Sequence, residues 1–154
     1  MNQETLYAIQ NLEQNLLALS QGVSDPVSLF SNAAALLWQS LDNINWAGFY
    51  RLIGDELILY PFQGKPACTH IPLGKGVCGT AAAENRTIVV PDVHLFPGHI
   101  VCDEASRSEI VIPLRVNGTV HGVLDIDSPV LNRFTREDQK YLEGFTRTLE
   151  KLLN

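Results

Sequence analysis

Three cysteines among 154 residues are too few, and the wrong parity, for the disulfide framework of a small secreted scaffold. No apolar stretch approaches the roughly 18–20 residues that a membrane helix needs. Basic side chains are in the minority: 11 Lys and Arg against 17 Asp and Glu leave a net charge of −6 and no basic run. That balance excludes nucleic acid and anionic membrane surfaces as natural partners. Eleven Gly and eight Pro are too few for a collagen-like chain, and 45% hydrophobic residues are too many for a disordered one. The opening Met1-Asn2-Gln3-Glu4 lacks the basic start of a secretory signal, which points to a reducing, cytoplasmic compartment with thiols reduced at rest.

Nucleotide motifs are missing as well. There is no GxxxxGK(S/T), and the GxGxxG letters at Gly74–Gly79 stand outside any strand–helix–strand context. No Ser/His/Asp elbow occurs, and no repeat or low-complexity tract divides the chain. What remains is the length of one domain, 1–154, with a folded surface of roughly 7,700 Å² expected from size alone.

The elements follow from period and punctuation. Leu6, Ile9, Leu16 and Leu19 recur near helical spacing, so 3–20 is predicted as one amphipathic helix closed by Gly22. Ser24-Asp25-Pro26 starts a second helix to about Leu41, with Val27, Phe30, Ala33, Ala34, Leu37 and Leu41 buried. Residues 44–53 and 56–62 read as strands around the Gly54-Asp55 turn, followed by a Gly/Pro-rich loop from Gln63 to His70. Gly76–Asn85 reads as a short Ala-rich helix, Thr87–Pro91 as a strand, and 91–108 as a long loop of the kind that tends to be functional or disordered. Asn117-Gly118 joins two apolar strands spanning 110–126 into a hairpin. Thr135–Asp138 opens a final helix to about Leu153 in a near capping box. The class is α+β: an antiparallel sheet with helices packed on it, the N- and C-terminal helices sharing one layer.

Several residues stand out against that frame. Cys68 and Cys102 lie in polar Pro/Gly-rich loops, where two reachable thiols suggest a nucleophile and its resolving partner. Cys78 sits in an apolar helix start and reads as a small buried hydrophobe. Zinc is the competing use of Cys68, His70, Cys78, His94, His99 and Cys102, but their spacings match no ribbon, finger or HExxH pattern, so no metal is assigned. Asp125 and Asp127 alternate on one strand and share a face, with Glu109 within reach on the neighbouring strand. They read either as a strand end running into solvent or as an acidic pocket for a cation or for proton donation. Trp46 and Tyr50 share a face with Gly48 between them, and are either core filling or an aromatic wall in which Gly48 leaves room for a ligand.

The segments Ile71–Gly79, Thr87–Val93, Ser108–Leu114 and Gly122–Ser128 resemble a GAF domain, with residues 1–22 as an N-terminal helix and 26–154 as the core. The placement of all three cysteines, with Trp46–Tyr50, Gln63–Cys68, Pro97–Asp103 and Leu124–Ser128, is similar to the stand-alone GAF enzymes that reduce free methionine-(R)-sulfoxide. By that resemblance Cys102 is the attacking cysteine, Cys68 the resolving one, and Cys78 an auxiliary or secondary partner. Glu109, Asp125 and Asp127 line the substrate pocket, and Trp46 and Tyr50 flank the methyl sulfoxide. No bound cofactor is implied; thioredoxin or another external dithiol regenerates the enzyme. As in many GAF proteins, the helices at 3–20 and 135–153 offer a surface for a homodimer. The alternative function is a small-molecule sensor without catalysis, since fold alone does not settle activity. One electrostatic difficulty accompanies the reductase reading: Asp103, Glu104, Glu109, Asp125 and Asp127 near a thiol should raise its pKa and cost thiolate.

Overall fold

The computed structural model describes residues 2–154. Six strands form one antiparallel sheet: β1 (Trp46–Ile53), β2 (Glu56–Gly64), β3 (His70–Pro72), β4 (Ile88–Val90), β5 (Ser108–Val116) and β6 (Thr119–Ser128), in the order β3-β2-β1-β6-β5-β4. The helices are α1 (Gln3–Gln10), α2 (Leu12–Leu19), α3 (Pro26–Ser40), α4 (Gly76–Glu84) and α5 (Arg136–Leu153). The chain exposes 7944 Å², close to what its size leads one to expect.

Alternation along the strands sends odd and even residues to opposite faces. Ala47, Phe49, Ile110, Ile112, Leu124 and Ile126 face α1, α2, α3 and α5, where they join Leu12, Leu16, Leu37 and Phe145 in the larger core. The two chain ends share this layer, as expected: Thr148 Oγ1 on α5 donates to Glu13 on α2. The opposite face carries Trp46, Tyr50, Val111 and Val123, covered by α4 and Ile71.

Local chemistry sets the boundaries. Asp25 caps α3 by accepting from Ser28 N at 3.1 Å, with Pro26 in the first turn. Thr135 and Asp138 complete the capping box of α5, with Asp in place of Glu. Asn117 and Gly118, at φ 52° and 79°, make the left-handed turn of the β5–β6 hairpin.

Four expectations change. The helix over 3–20 is two helices, because the Asn11 side chain donates to Tyr7 O at 2.7 Å and competes with the backbone ladder. Val27 is half exposed and borders an open groove against β2, while Leu29 and Leu36 are buried instead. The first long strand starts at Trp46 rather than residue 44, although Asn45 N still donates to Asp127 O. Residues 70–72 form the edge strand β3, which is too short to show a period.

The long loop is held at several points. Val93–Leu95 makes a 3-10 turn with Val93 buried, Val93 N donates to Arg107 O, and Arg107 N donates to Ser128 O. Among the described residues, no helix is long and apolar enough to cross a membrane.

Candidate active site

The face of the sheet away from the helical layer gathers the acidic residues. Glu109 of β5 pairs in register with Asp127 of β6, and β1 places Gly48 beside Asp125 and Trp46 beside Asp127. All three carboxyl groups therefore face α4 across a cavity that Trp46, Tyr50, Cys78 and Cys102 also line. The strand-end reading of the two aspartates does not hold for Asp125, which is 6% exposed, nor for Glu109, also 6% exposed.

Trp46 and Tyr50 stack with ring centroids 5.9 Å apart, and Phe62 stacks on the other side of Trp46 at 5.1 Å. Each polar tip holds the same loop: Trp46 Nε1 donates to Lys65 O at 3.1 Å, and Tyr50 Oη donates to Cys68 O at 2.9 Å. The aromatic wall therefore positions Cys68. Gly48 leaves no room for a ligand, so that part of the aromatic-wall alternative fails. A methyl group there would collide with Phe62, so this glycine exists to let β2 and its aromatic side chain close in.

Cys68 and Cys102 are joined by a disulfide, with Cα atoms 5.6 Å apart. Both are half-buried, and Cys102 lines the cavity. The segment that carries Cys102 is tied down through Asn45, whose Nδ2 donates to Asp103 at 3.0 Å and to Ser106 Oγ at 3.1 Å. Cys78 is a free thiol, 5% exposed, on the first turn of α4. It is buried as expected but is more than core filling, since its sulfur lies within 4.8 Å of carboxylate oxygens of Glu109 and Asp125.

Electrostatics distinguishes the three acids. Burial, reinforced by the charges of Asp125 and Asp127, pushes the Glu109 carboxyl well above its ordinary range. Burial and the Asp125 charge push Asp127 well above its range too. Asp125 is also raised by burial, but hydrogen bonds from Glu109 and Cys78 favour its ionised form and oppose the rise. Burial therefore favours the protonated form most at Glu109 and Asp127, and Asp125 is the carboxyl group best supported as an anion. Burial first, and then the charge of Asp125, push the Cys78 thiol and the Tyr50 phenol upward, so both keep their protons. His99 Nε2 stands 3.9 Å from Glu109 Oε1, yet burial lowers the His99 pKa. We read that contact as one between neutral groups.

The expected rise is seen at Cys78. Glu104 is exposed and outside the cavity lining, and Asp103 is occupied with Asn45 and with Ala105 N. Of the residues weighed for zinc, His70 and His94 are exposed and lie outside the lining, and the compact ligand-bearing group among the described residues is Cys78, Glu109 and Asp125. Residues that sequence reasoning missed include Val77, Ile100 and Ser106, all in the cavity wall. Val77 had a signal in its position at the start of α4; Ser106 had none.

The comparisons agree with this geometry. A GAF domain profile matches residues 15–153. The chain is 52% identical over 153 residues to the free methionine-R-sulfoxide reductase of Escherichia coli (strain K12), covering 99% of this chain and 92% of that protein. It superposes on the fRMsr of Staphylococcus aureus (reduced form) with a TM-score of 0.92 at 50% identity, covering 95% of both chains. The free methionine-R-sulfoxide reductase of Neisseria meningitidis in complex with its substrate gives 0.91 at 42% identity, over 94% of this chain and 87% of that one. With its profile match, its sheet order and these relatives all in accord, the chain belongs to the GAF domain family.

Proposed function

We propose that this protein reduces free methionine-(R)-sulfoxide to methionine. The observation that carries the reading is the Cys68–Cys102 pair, whose Cys102 lines the same cavity as Glu109, Asp125 and Asp127. Relatives that bear this activity by name, at 52% and 46% identity, support the substrate.

The chemistry runs in three steps. The Cys102 thiolate attacks the sulfoxide sulfur, the S–O oxygen takes up a proton, and the oxygen ends on Cys102 as a sulfenic acid with methionine released. Cys68 condenses with the sulfenic acid, forming the disulfide and expelling water. An external dithiol, thioredoxin in the simplest case, reduces the disulfide by exchange and is itself oxidised.

The acidic floor serves two ends. Glu109 and Asp127, held protonated by burial, are placed to deliver the proton that the departing oxygen needs. Asp125, the better-supported anion, suits a substrate ammonium group. Such a group is absent once methionine lies inside a polypeptide, which accounts for a preference for the free amino acid. The substrate charge also offsets part of the anionic field that would otherwise hold a nearby thiol protonated.

The test is methionine formation from racemic free methionine sulfoxide with dithiothreitol. Wild type consumes only the R half of the substrate, and Cys102→Ser forms no methionine. Asp125→Asn and Glu109→Gln should each lower kcat/KM by more than about twofold, and a smaller change would remove the acidic floor from the mechanism. Saturable nucleotide binding without any turnover would return the domain to the sensor class.

A further inference from the structure

We propose that Cys78, Glu109 and Asp125 form a binding site for one borderline-soft divalent cation, zinc being the best fit. The thiol sulfur and one oxygen of each carboxyl group lie within 4.8 Å of one another, and all three residues are buried. An independent observation points the same way: Asp125 Oδ1 is buried and accepts no hydrogen bond. A buried acceptor without a donor is unfavourable, a penalty that a cation bound to it removes.

The donor set selects the ion. A sulfur with two oxygens favours zinc over magnesium or calcium, which prefer all-oxygen shells. Three protein ligands leave a fourth tetrahedral position free, and His99 Nε2 stands 3.9 Å from Glu109 Oε1. As the cation binds, the protons of the Cys78 thiol and the Glu109 carboxyl group pass to solvent. A thiolate and two carboxylates around a doubly charged cation leave one net negative charge where three uncompensated ones could not coexist.

The ligands come from α4, β5 and β6, so no sequence spacing marks the site. Neither Cys68 nor Cys102 contributes, and the disulfide can be closed while the cation is bound. Zinc and the substrate of the reading above would compete for Glu109 and Asp125, so the cation-bound form cannot take substrate there; the site itself is tested without substrate and stands or falls apart from that reading.

The experiment adds cobalt(II) to the disulfide-bonded protein, in which Cys78 is the only free thiol. Expected is a single equivalent bound with a near-ultraviolet sulfur-to-cobalt charge-transfer band and the visible bands of tetrahedral coordination, both erased by zinc. Cys78→Ser should abolish the charge-transfer band and weaken zinc binding, read by calorimetry, at least about tenfold. Asp125→Asn keeps the thiol and should weaken zinc binding to a similar degree, so the proposal does not depend on one variant folding. Absence of the sulfur band in wild type, or zinc binding unchanged in both variants, overturns it.

Discussion

The two faces of the central sheet are made from alternate residues of the same strands, yet they do opposite work. Towards the helices, β1, β5 and β6 present Ala47, Phe49, Ile110, Ile112, Leu124 and Ile126, a wholly apolar set at the centre of the larger core. One residue along in each strand, the other face presents Trp46, Tyr50, Glu109, Asp125 and Asp127 around a cavity. The first face gains stability from every side chain it buries. The second buries carboxyl groups whose ionised forms burial disfavours, so it draws on stability that the first supplies. A rigid helix-backed face is what allows the other to hold unfavourable groups in fixed positions.

The sharpest break in this comparison is Cys102→Ser. In the reduced protein it should lower the rate of methionine formation by at least about a thousandfold, with little change in melting temperature against reduced wild type. An equally large loss of stability would mean that the site face also carries the fold. Phe49→Ala, on the helix side, should do the reverse. Denaturant titration should show a loss of about 3–5 kcal/mol, with kcat of the folded fraction nearly unchanged.

Glu109→Gln sharpens the contrast through pH. Because burial raises the Glu109 pKa in the fold, its contribution is complete in acid, below the unfolded value, and is lost as pH rises through the folded one. The glutamine variant should therefore melt about 2–4 °C higher at neutral pH, equivalent to about 1 kcal/mol. That advantage should vanish in scans carried out near pH 4. A melting gain that persists there would show that charge burial is not its cause. Thr135→Ala has the smallest expected effect: loss of the α5 capping box should cost about 1 kcal/mol and leave kcat/KM unchanged.

Much of the architecture was legible because it is local. Asn117-Gly118 between alternating apolar runs gave the β5–β6 hairpin, and Thr135 with Asp138 gave the start of α5. The shared face of Asp125 and Asp127 followed from strand alternation alone, and so did the nearness of Glu109 once the hairpin was set. The misses were of two kinds. A single side-chain hydrogen bond at Asn11 splits a continuous helical period, which no period count registers. The space beside Gly48 is filled by Phe62, and only the β1–β2 register reveals it.

Cys78 shows most plainly where reading by sequence stops. Its helix is small and apolar on most sides, with Gly76, Val77, Gly79, Ala81 and Ala82 all buried, so its period does not tell which side chain meets the acids. The sequence by itself determined five of the six strands, the side of the sheet their residues take, and the three cysteines and three acids that chemistry can use. The tertiary structure decided which thiols meet, which thiol stands among the carboxyl groups, and how far burial pushes each acid towards its protonated form. Side-chain direction depends on neighbours along the backbone, whereas proton affinity depends on burial and on charges brought close from distant parts of the chain.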